Sequence, residues 1–238
     1  MDIVTVKKIT KKYETFLLND VSFSLKEGHI IGFIGRNGAG KTTTIKAMLN
    51  LISFTGEVNF FEKSFSKNEI EIKKEIGYSN GVIERYPRKK FKNIVNVTRR
   101  FYDSWDQNTY EKYLKIFELD ENKTPKEMSQ GMKVKANLLL SLSHKPKILI
   151  LDEPTSGLDP FSRNEILNIF LKLKNDGLTI FFSTHIISDL EKSADDIVYI
   201  SHGKIIEAIE IDTFKRKYSL KNESLEDIIL RLEEVQHD

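Results

Sequence analysis

Short runs of apolar residues recur along the chain, at residues 29–34, 148–151, 178–182 and 196–200. Consecutive apolar positions are typical of strands that are buried on both faces of a parallel sheet. Helical patterns lie between these runs, for example at residues 42–51 and 163–175. Strands that alternate with helices indicate βαβ units, so the pattern predicts an α/β fold built on a parallel sheet.

Other segments depart from this alternation. Residues 3–6 and 21–25 are β-prone and predict short N-terminal strands, whereas residues 82–145 are charged and mostly helical in pattern. We interpret the latter as a helical subdomain inserted between strands of the sheet. The tail has apolar positions at helical spacing, namely Leu225, Ile228, Ile229 and Leu232. This spacing favours a short amphipathic helix that packs on its own domain over one that binds a partner.

Composition narrows the class of protein. The 238 residues include 37 Lys and Arg against 35 Asp and Glu, a formal net charge of +2 that argues against binding nucleic acid by phosphate neutralisation. The lack of cysteine excludes a disulfide scaffold and a Cys-ligated metal. No apolar run approaches the ~18–20 residues that cross a bilayer, and the N-terminus does not resemble a secretory signal. We therefore expect a soluble, cytosolic chain whose membrane role, if any, comes through a partner.

A glycine-rich loop follows the first buried run and precedes a predicted helix. It fits the phosphate-binding pattern GxxxxGK[ST], and the residues expected at the phosphates are Gly35, Arg36, Asn37, Gly38, Ala39, Gly40, Lys41, Thr42 and Thr43. Glycines let backbone N–H groups curl around phosphate oxygens, and the helix N-terminus adds a positive dipole end. In such a P-loop, Lys41 contacts the β- and γ-phosphates and Thr42 ligates Mg²⁺.

Two adjacent carboxylates, Asp152 and Glu153, follow the apolar run at 148–151. Alone, they are also consistent with a solvated strand end. Together with the P-loop, they match a Walker B pattern, in which Asp152 lies near Mg²⁺ and Glu153 orients the attacking water.

The wider motif set resembles the ATP-binding cassette (ABC) ATPases over roughly residues 1–215. Residues 152–160 are similar to that family's Walker B and D-loop, and His185 follows a buried strand at the position of its H-switch. Residues 128–133 correspond to the signature loop: Ser129 and Gly131 are kept, whereas Gln130 replaces a glycine.

The resemblance implies a RecA-like P-loop core with an antiparallel β-subdomain (residues 1–81 and 146–215), the helical subdomain at 82–145 and a tail helix at 216–238, all in one ABC ATPase domain. It also implies a dimer around two ATP molecules, each between one subunit's P-loop and the other's Ser129 and Gly131. Lys41, Glu153 and His185 then act in hydrolysis and Asp159 aligns the facing subunit. Tyr13 would stack on adenine, although a strand-end tyrosine with no ligand is an alternative.

One family position is altered. A glutamine is expected shortly after the segment Ile-Gly-Tyr at 76–78, but residues 79–81 are Ser, Asn and Gly. Asn80 is the nearest side chain that can supply an amide to the Mg²⁺ site, and Gly81 occupies the expected glutamine position. This change leaves open a catalytically weak, regulatory cassette in a heterodimer.

Partners are implied by the resemblance alone. Residues 101–106 and the altered signature loop resemble a subgroup of bacterial exporter ATPases that includes antimicrobial-peptide exporters. The implied partners are a transmembrane permease and a second ATP-binding subunit, identical or different, at the cytoplasmic side of the membrane. Residues 85–92 interleave basic and aromatic side chains, which fits a solvated face, a surface beside the permease or, least well, nucleic acid. A soluble ABC ATPase without a membrane partner is the rival interpretation.

Overall fold

The computed structural model describes residues 1–81, 86–220 and 223–235. The strands are β1 (Asp2–Lys12), β2 (Leu17–Lys26), β3 (Ile30–Ile34), β4 (Thr55–Phe60), β5 (Lys63–Ser64), β6 (Ile76–Ser79), β7 (Ile148–Asp152), β8 (Thr179–Thr184), β9 (Asp196–Ser201) and β10 (Lys204–Glu210). The α-helices are α1 (Lys41–Met48), α2 (Glu69–Lys74), α3 (Phe91–Thr98), α4 (Gln107–Ile116), α5 (Gln130–Leu142), α6 (Pro160–Asn175), α7 (Ile187–Ser193), α8 (Ile211–Tyr218) and α9 (Leu225–Val235). Short 3₁₀ turns lie at Phe65–Lys67, Arg99–Phe101 and Pro125–Glu127.

The predicted parallel sheet is present. Its six strands lie in the order β10-β9-β3-β8-β7-β6, and the pairs from β9 to β6 are all parallel. The strands β3, β8 and β9 are buried along their whole length, as their uninterrupted apolar runs predict. The carboxyl ends of the parallel strands meet at one edge of the sheet. The P-loop begins there after β3, and Asp152 and Glu153 lie there at the end of β7.

A second, antiparallel sheet has the order β2-β1-β4-β5. The pattern at residues 3–6 and 21–25 predicts β1 and β2, which pair antiparallel. No clear sequence pattern predicts the strand β4. Its first three residues are exposed, so the alternation of buried and less buried positions covers only its last three residues. It is held by pairing with β1, where Val6 faces Val58, a contact distant in sequence.

The segment predicted as helical carries α3, α4 and α5. Phe91, Tyr110 and Leu138 from these helices, and Phe117 directly after α4, are buried in the same apolar cluster as Leu149 of β7. The division of the chain into subdomains stays a prediction, since its first boundary, at residue 82, and the basic Arg85 fall in 82–85, outside the described residues.

The tail helix α9 packs on its own chain. Leu225, Ile228 and Ile229 are buried against the core, and Tyr199 of β9 donates a hydrogen bond of 2.7 Å from its hydroxyl to Glu233. The last predicted residues of this tail, 236–238, lie outside the described part of the chain. Among the described residues, no helix is both long and apolar enough to cross a bilayer.

Candidate functional site

The P-loop joins β3 to α1 with a shape that depends on glycine. Gly38 and Gly40 have φ angles of +85° and +114°, in the left-handed region. A Cβ on Gly35 would lie 2.3 Å from the carbonyl oxygen of Ile200, so that residue is required by close packing. The first turn of α1 has no side-chain cap, which leaves its N–H groups for an anion.

Lys41 lies at the floor of this loop, with only 5% of its side chain exposed. Its ammonium donates to the carbonyl oxygens of Gly35, at 2.6 Å, and Arg36, at 3.3 Å. It also forms an ion pair with Glu153, with Nζ 3.2 Å from Oε1. The positive charge is therefore buried and already paired with the carboxylate predicted to act on water.

The Walker B carboxylates meet the P-loop across the sheet edge. The hydroxyl of Thr42 donates to Asp152 Oδ1 at 3.2 Å, so the two predicted Mg²⁺ ligands are adjacent. On the neighbouring residue, Glu153 Oε2 lies 2.9 Å from Nδ1 of His185. Three motifs far apart in sequence thus meet: P-loop, Walker B and H-switch.

Ser183 is a site residue that the sequence analysis missed. It is paired in register with Asp152 across β7 and β8, donates to Asp152 Oδ1 at 2.6 Å and accepts from the Glu153 N–H at 2.9 Å. Both strands were predicted from their apolar runs. The register of β7 against β8 sets Ser183 beside Asp152. Neither apolar run alone reveals this register, so the sequence carried no signal that could identify Ser183.

A buried hydrogen bond ties the segment after Glu153 to the helix after His185. The Thr155 hydroxyl donates to Asp189 Oδ2 at 2.7 Å, and both residues are fully buried. Burial raises the pKa of the Asp189 carboxyl, whereas the Thr155 hydrogen bond lowers it by a smaller amount. This contact fixes α7 against the Walker B segment and thereby helps to place His185.

An open cavity of about 580 Å³ covers the P-loop. Its lining includes Phe16, Arg36, Lys41, Glu153, Ser156 and His185. Phe16 was not anticipated. Tyr13 is 43% exposed and has the Lys11 ammonium 5.4 Å from its ring centre, so its assignment to adenine stays a prediction.

Asn80 is exposed directly after β6, whose last residue Ser79 pairs with Leu151. It therefore leaves the sheet at the same edge as Asp152. The following residue, Gly81, has a φ of +99°, and its carbonyl accepts from Asn137 at 2.8 Å. This anchors the altered segment to α5 through its backbone, and a role for Asn80 at a metal stays a prediction.

The signature loop forms the N-terminus of α5. Ser129 caps this helix, its Oγ accepting from the N–H of Met132 at 3.2 Å. Because a hydroxyl can accept and donate at once, the cap leaves the Ser129 O–H available. Gly131 packs closely on α6, where an added Cβ would lie 3.1 Å from Ser162 Oγ.

Asp159 caps the neighbouring helix α6. Its carboxylate accepts from the N–H groups of Phe161 and Ser162, at 3.0 and 3.1 Å. The bonds from Ser162 lower the pKa of Asp159. The residue thus has a local role in starting α6, beside the interfacial role that the resemblance implies.

The oxygens at the sheet edge fit Mg²⁺. This ion is usually bound at nucleotide sites by one or two protein oxygens together with substrate phosphates. Thr42 and Asp152 supply such a hard-oxygen pair, and the described residues hold no cluster of three or more His, Cys, Asp and Glu side chains that would form an all-protein metal site.

Comparisons with known proteins find relatives in both sequence and fold. The family model described as "ABC transporter" matches residues 18–156. The chain is 36% identical over 220 residues to the bacitracin transport ATP-binding protein BcrA of Bacillus licheniformis, covering 90% of this chain and 72% of that protein. It is 34% identical to the lantibiotic transport ATP-binding protein SrtF of Streptococcus pyogenes, covering 94% and 97%. A solved structure, described as the ATP binding subunit of an ABC transporter, superposes with a TM-score of 0.85 at 26% identity, covering 97% of this chain and 99% of that one.

Proposed function

Because this chain belongs to the ABC transporter family and is an ATPase of that family, we propose that it is the motor subunit of an exporter with a separate transmembrane subunit. The observation that carries the proposal is the convergence of Lys41, Glu153 and His185 at one cavity over the P-loop. These groups are the ones that bind a triphosphate and orient water for its hydrolysis.

Nucleotide binding begins at the P-loop. The N–H groups of the glycine-rich turn and the uncapped start of α1 receive phosphate oxygens, and Lys41 neutralises the β- and γ-phosphates. Tyr13 stacks on adenine. Thr42 and Asp152, with Asn80 at the same sheet edge, would hold Mg²⁺, and the bound ion would neutralise charge on the phosphate oxygens.

Hydrolysis requires Lys41 to change partners. In the structure its ammonium is paired with Glu153, and an incoming γ-phosphate offers a stronger negative charge. Once Lys41 turns to phosphate, the Glu153 carboxylate is free to orient and polarise water. His185, whose Nδ1 lies 2.9 Å from Glu153 Oε2, then contacts the γ-phosphate.

A second subunit completes the site in this proposal. Ser129 and Gly131 at the start of α5 are not among the cavity's lining within the described residues, which is expected if they bind the ATP held by the facing subunit. Closure excludes water and assembles the catalytic groups, and Asp159 aligns the two subunits. The second subunit is this chain or a related cassette.

The names of the relatives suggest the cargo. Two similar proteins are described as bacitracin and lantibiotic transport ATP-binding proteins, and both cargoes are antimicrobial peptides. We extend this to peptide export by the present chain, which would sit at the cytoplasmic side of the membrane, bound to its permease and not to nucleic acid.

The test is to trap the assembly. Tagged Glu153→Gln protein, expressed in its own host with ATP, is purified from detergent-solubilised membranes and its companions are identified. We expect a multi-span membrane protein to co-purify, with a second cassette if the motor is heterodimeric. The matched control carries Lys41→Ala as well and cannot close on ATP. Protein that remains in the soluble fraction without a membrane partner would instead support a soluble ABC ATPase.

A further inference from the structure

Ser183 occupies a fully buried position at the end of β8 that the mechanism above does not use. The parallel register of β7 and β8 places it directly beside Asp152. Two residues later the same strand delivers His185 to Glu153. One strand end therefore contacts both acidic residues.

The Ser183 hydroxyl contacts both acidic residues at once. Its proton goes to Asp152 Oδ1, at 2.6 Å, and its oxygen accepts the Glu153 N–H, at 2.9 Å. Asp152 Oδ1 also accepts from Thr42 at 3.2 Å, so the same carboxylate oxygen is held from two sides. The Ser183 hydroxyl thus links the side chain of Asp152 to the backbone of Glu153.

Glu153 needs such a partner because its backbone is unusual. Its φ is 52°, in the left-handed region that non-glycine residues rarely adopt. This turn directs the Glu153 side chain from the strand end towards Lys41 and His185. Strained conformations persist at functional sites only where the surroundings fix them, and the hydrogen bond from the Glu153 N–H to Ser183 is one such restraint.

We propose that Ser183 is a positioning residue that holds the Asp152 carboxylate and the Glu153 backbone in one fixed geometry. The inference rests on the proposed function of these two acids. Such a positioning role differs from a purely structural one. Another hydroxyl on the same strand illustrates the structural role. Thr179, at the opposite end of β8, is also fully buried and accepts from the Gly28 N–H at 2.9 Å, but contacts no site residue.

The experiment compares Ser183→Ala with Thr179→Val, which also removes a buried hydroxyl from β8. Two readouts are used: steady-state ATP hydrolysis, and the affinity of ADP-loaded protein for Mn²⁺, measured by the ion's electron paramagnetic resonance signal. Groups that orient metal ligands typically change metal affinity or activity by ~10–100-fold when removed. For Ser183→Ala we expect kcat to fall and the Mn²⁺ Kd to rise by about 10-fold or more, with KM for ATP changed by less than about threefold.

Thermal unfolding of both variants separates positioning from stability. If Thr179→Val lowers Tm as much as Ser183→Ala yet keeps kcat and Mn²⁺ affinity, the inference is supported. If Ser183→Ala keeps both readouts, or the two variants lose them equally, Ser183 has no positioning role. A wild-type protein that does not hydrolyse ATP even with its co-purifying cassette would overturn the proposed function instead, while the Mn²⁺ measurement would still decide the role of Ser183.

Discussion

Replacing Glu153 by Gln should separate nucleotide binding from turnover. The carboxylate forms an ion pair with the Lys41 ammonium and lies 2.9 Å from His185. A bound phosphate must displace the Glu153 carboxylate from Lys41, and it also repels this carboxylate because both groups are negatively charged. Gln keeps the size of the side chain and removes its charge, so the same substitution should favour binding and impair hydrolysis.

The magnitude follows from the burial of the pair. Lys41 is 5% and Glu153 24% exposed, which places their contact between a surface ion pair, worth up to ~1 kcal/mol, and a charged hydrogen bond, worth ~1.5–3 kcal/mol. We expect Glu153→Gln to strengthen ATP binding by about 1–2 kcal/mol, roughly 5- to 30-fold in Kd. Loss of a residue that accepts a proton from water typically lowers kcat by ~10²–10⁴-fold.

Both quantities can be measured on the purified protein, together with the second cassette where one co-purifies. The Kd for ATP is obtained without divalent metal, so that hydrolysis does not interfere, and kcat is obtained with Mg²⁺. Glu69→Gln is the matched control. It removes a carboxylate from another Lys–Glu pair, with Lys73 on α2 and outside the P-loop cavity. It should leave Kd and kcat unchanged.

Weaker ATP binding by Glu153→Gln than by the wild type would contradict this expectation. That result would mean that the Lys41–Glu153 pair helps to preorganise the loop for phosphate. A kcat within about threefold of wild type would remove Glu153 from the hydrolytic step, because a positioned general base typically contributes ~10²–10⁴-fold.

Other predictions concern single groups. Lys41→Ala should weaken ATP binding by ~1.5–3 kcal/mol and abolish hydrolysis, and wild-type turnover would refute the P-loop role. If Tyr13 stacks on adenine, Tyr13→Ala should raise KM for ATP more than Tyr13→Phe; if only Phe16→Ala raises it, Phe16 is the base-contacting ring. Asp106 caps α4 and pairs with Lys145, which lowers its pKa from 3.8 to about 2. Its folded pKa is depressed, so Asp106→Asn should lower the urea midpoint at pH 7, and the difference from wild type should vanish as pH falls below about 4 towards 2. An equal difference at both pH values would contradict this.

Local patterns were sufficient for much of the site. The P-loop is one contiguous motif. Its glycines indicate a backbone that can curl around phosphate, and Lys41 and Thr42 indicate the groups that face it. The parallel sheet follows from uninterrupted apolar runs, since burial on both faces excludes the alternation of a surface strand. Asp152 and Glu153 could be placed because they end such a run.

Contacts that depend on register were beyond the sequence. Ser183 meets Asp152 because β8 pairs with β7. The apolar run at 178–182 does not specify which strand lies beside it. Phe16 was missed for a related reason. It lies in a loop between two antiparallel strands and packs against Gly40, where an added Cβ would come within 2.9 Å of its ring.

Strand register is also the reason that motif and mechanism are not equivalent in this chain. The motifs name the groups that we propose bind phosphate, but the distances between those groups are set by strand register and by the left-handed turn at Glu153. A strand that slipped by one residue would turn every side chain to the other face and separate Ser183 and His185 from the acids without changing any motif. The catalytic geometry is therefore a property of the buried sheet, which is why a buried hydroxyl such as Ser183 is expected to affect hydrolysis.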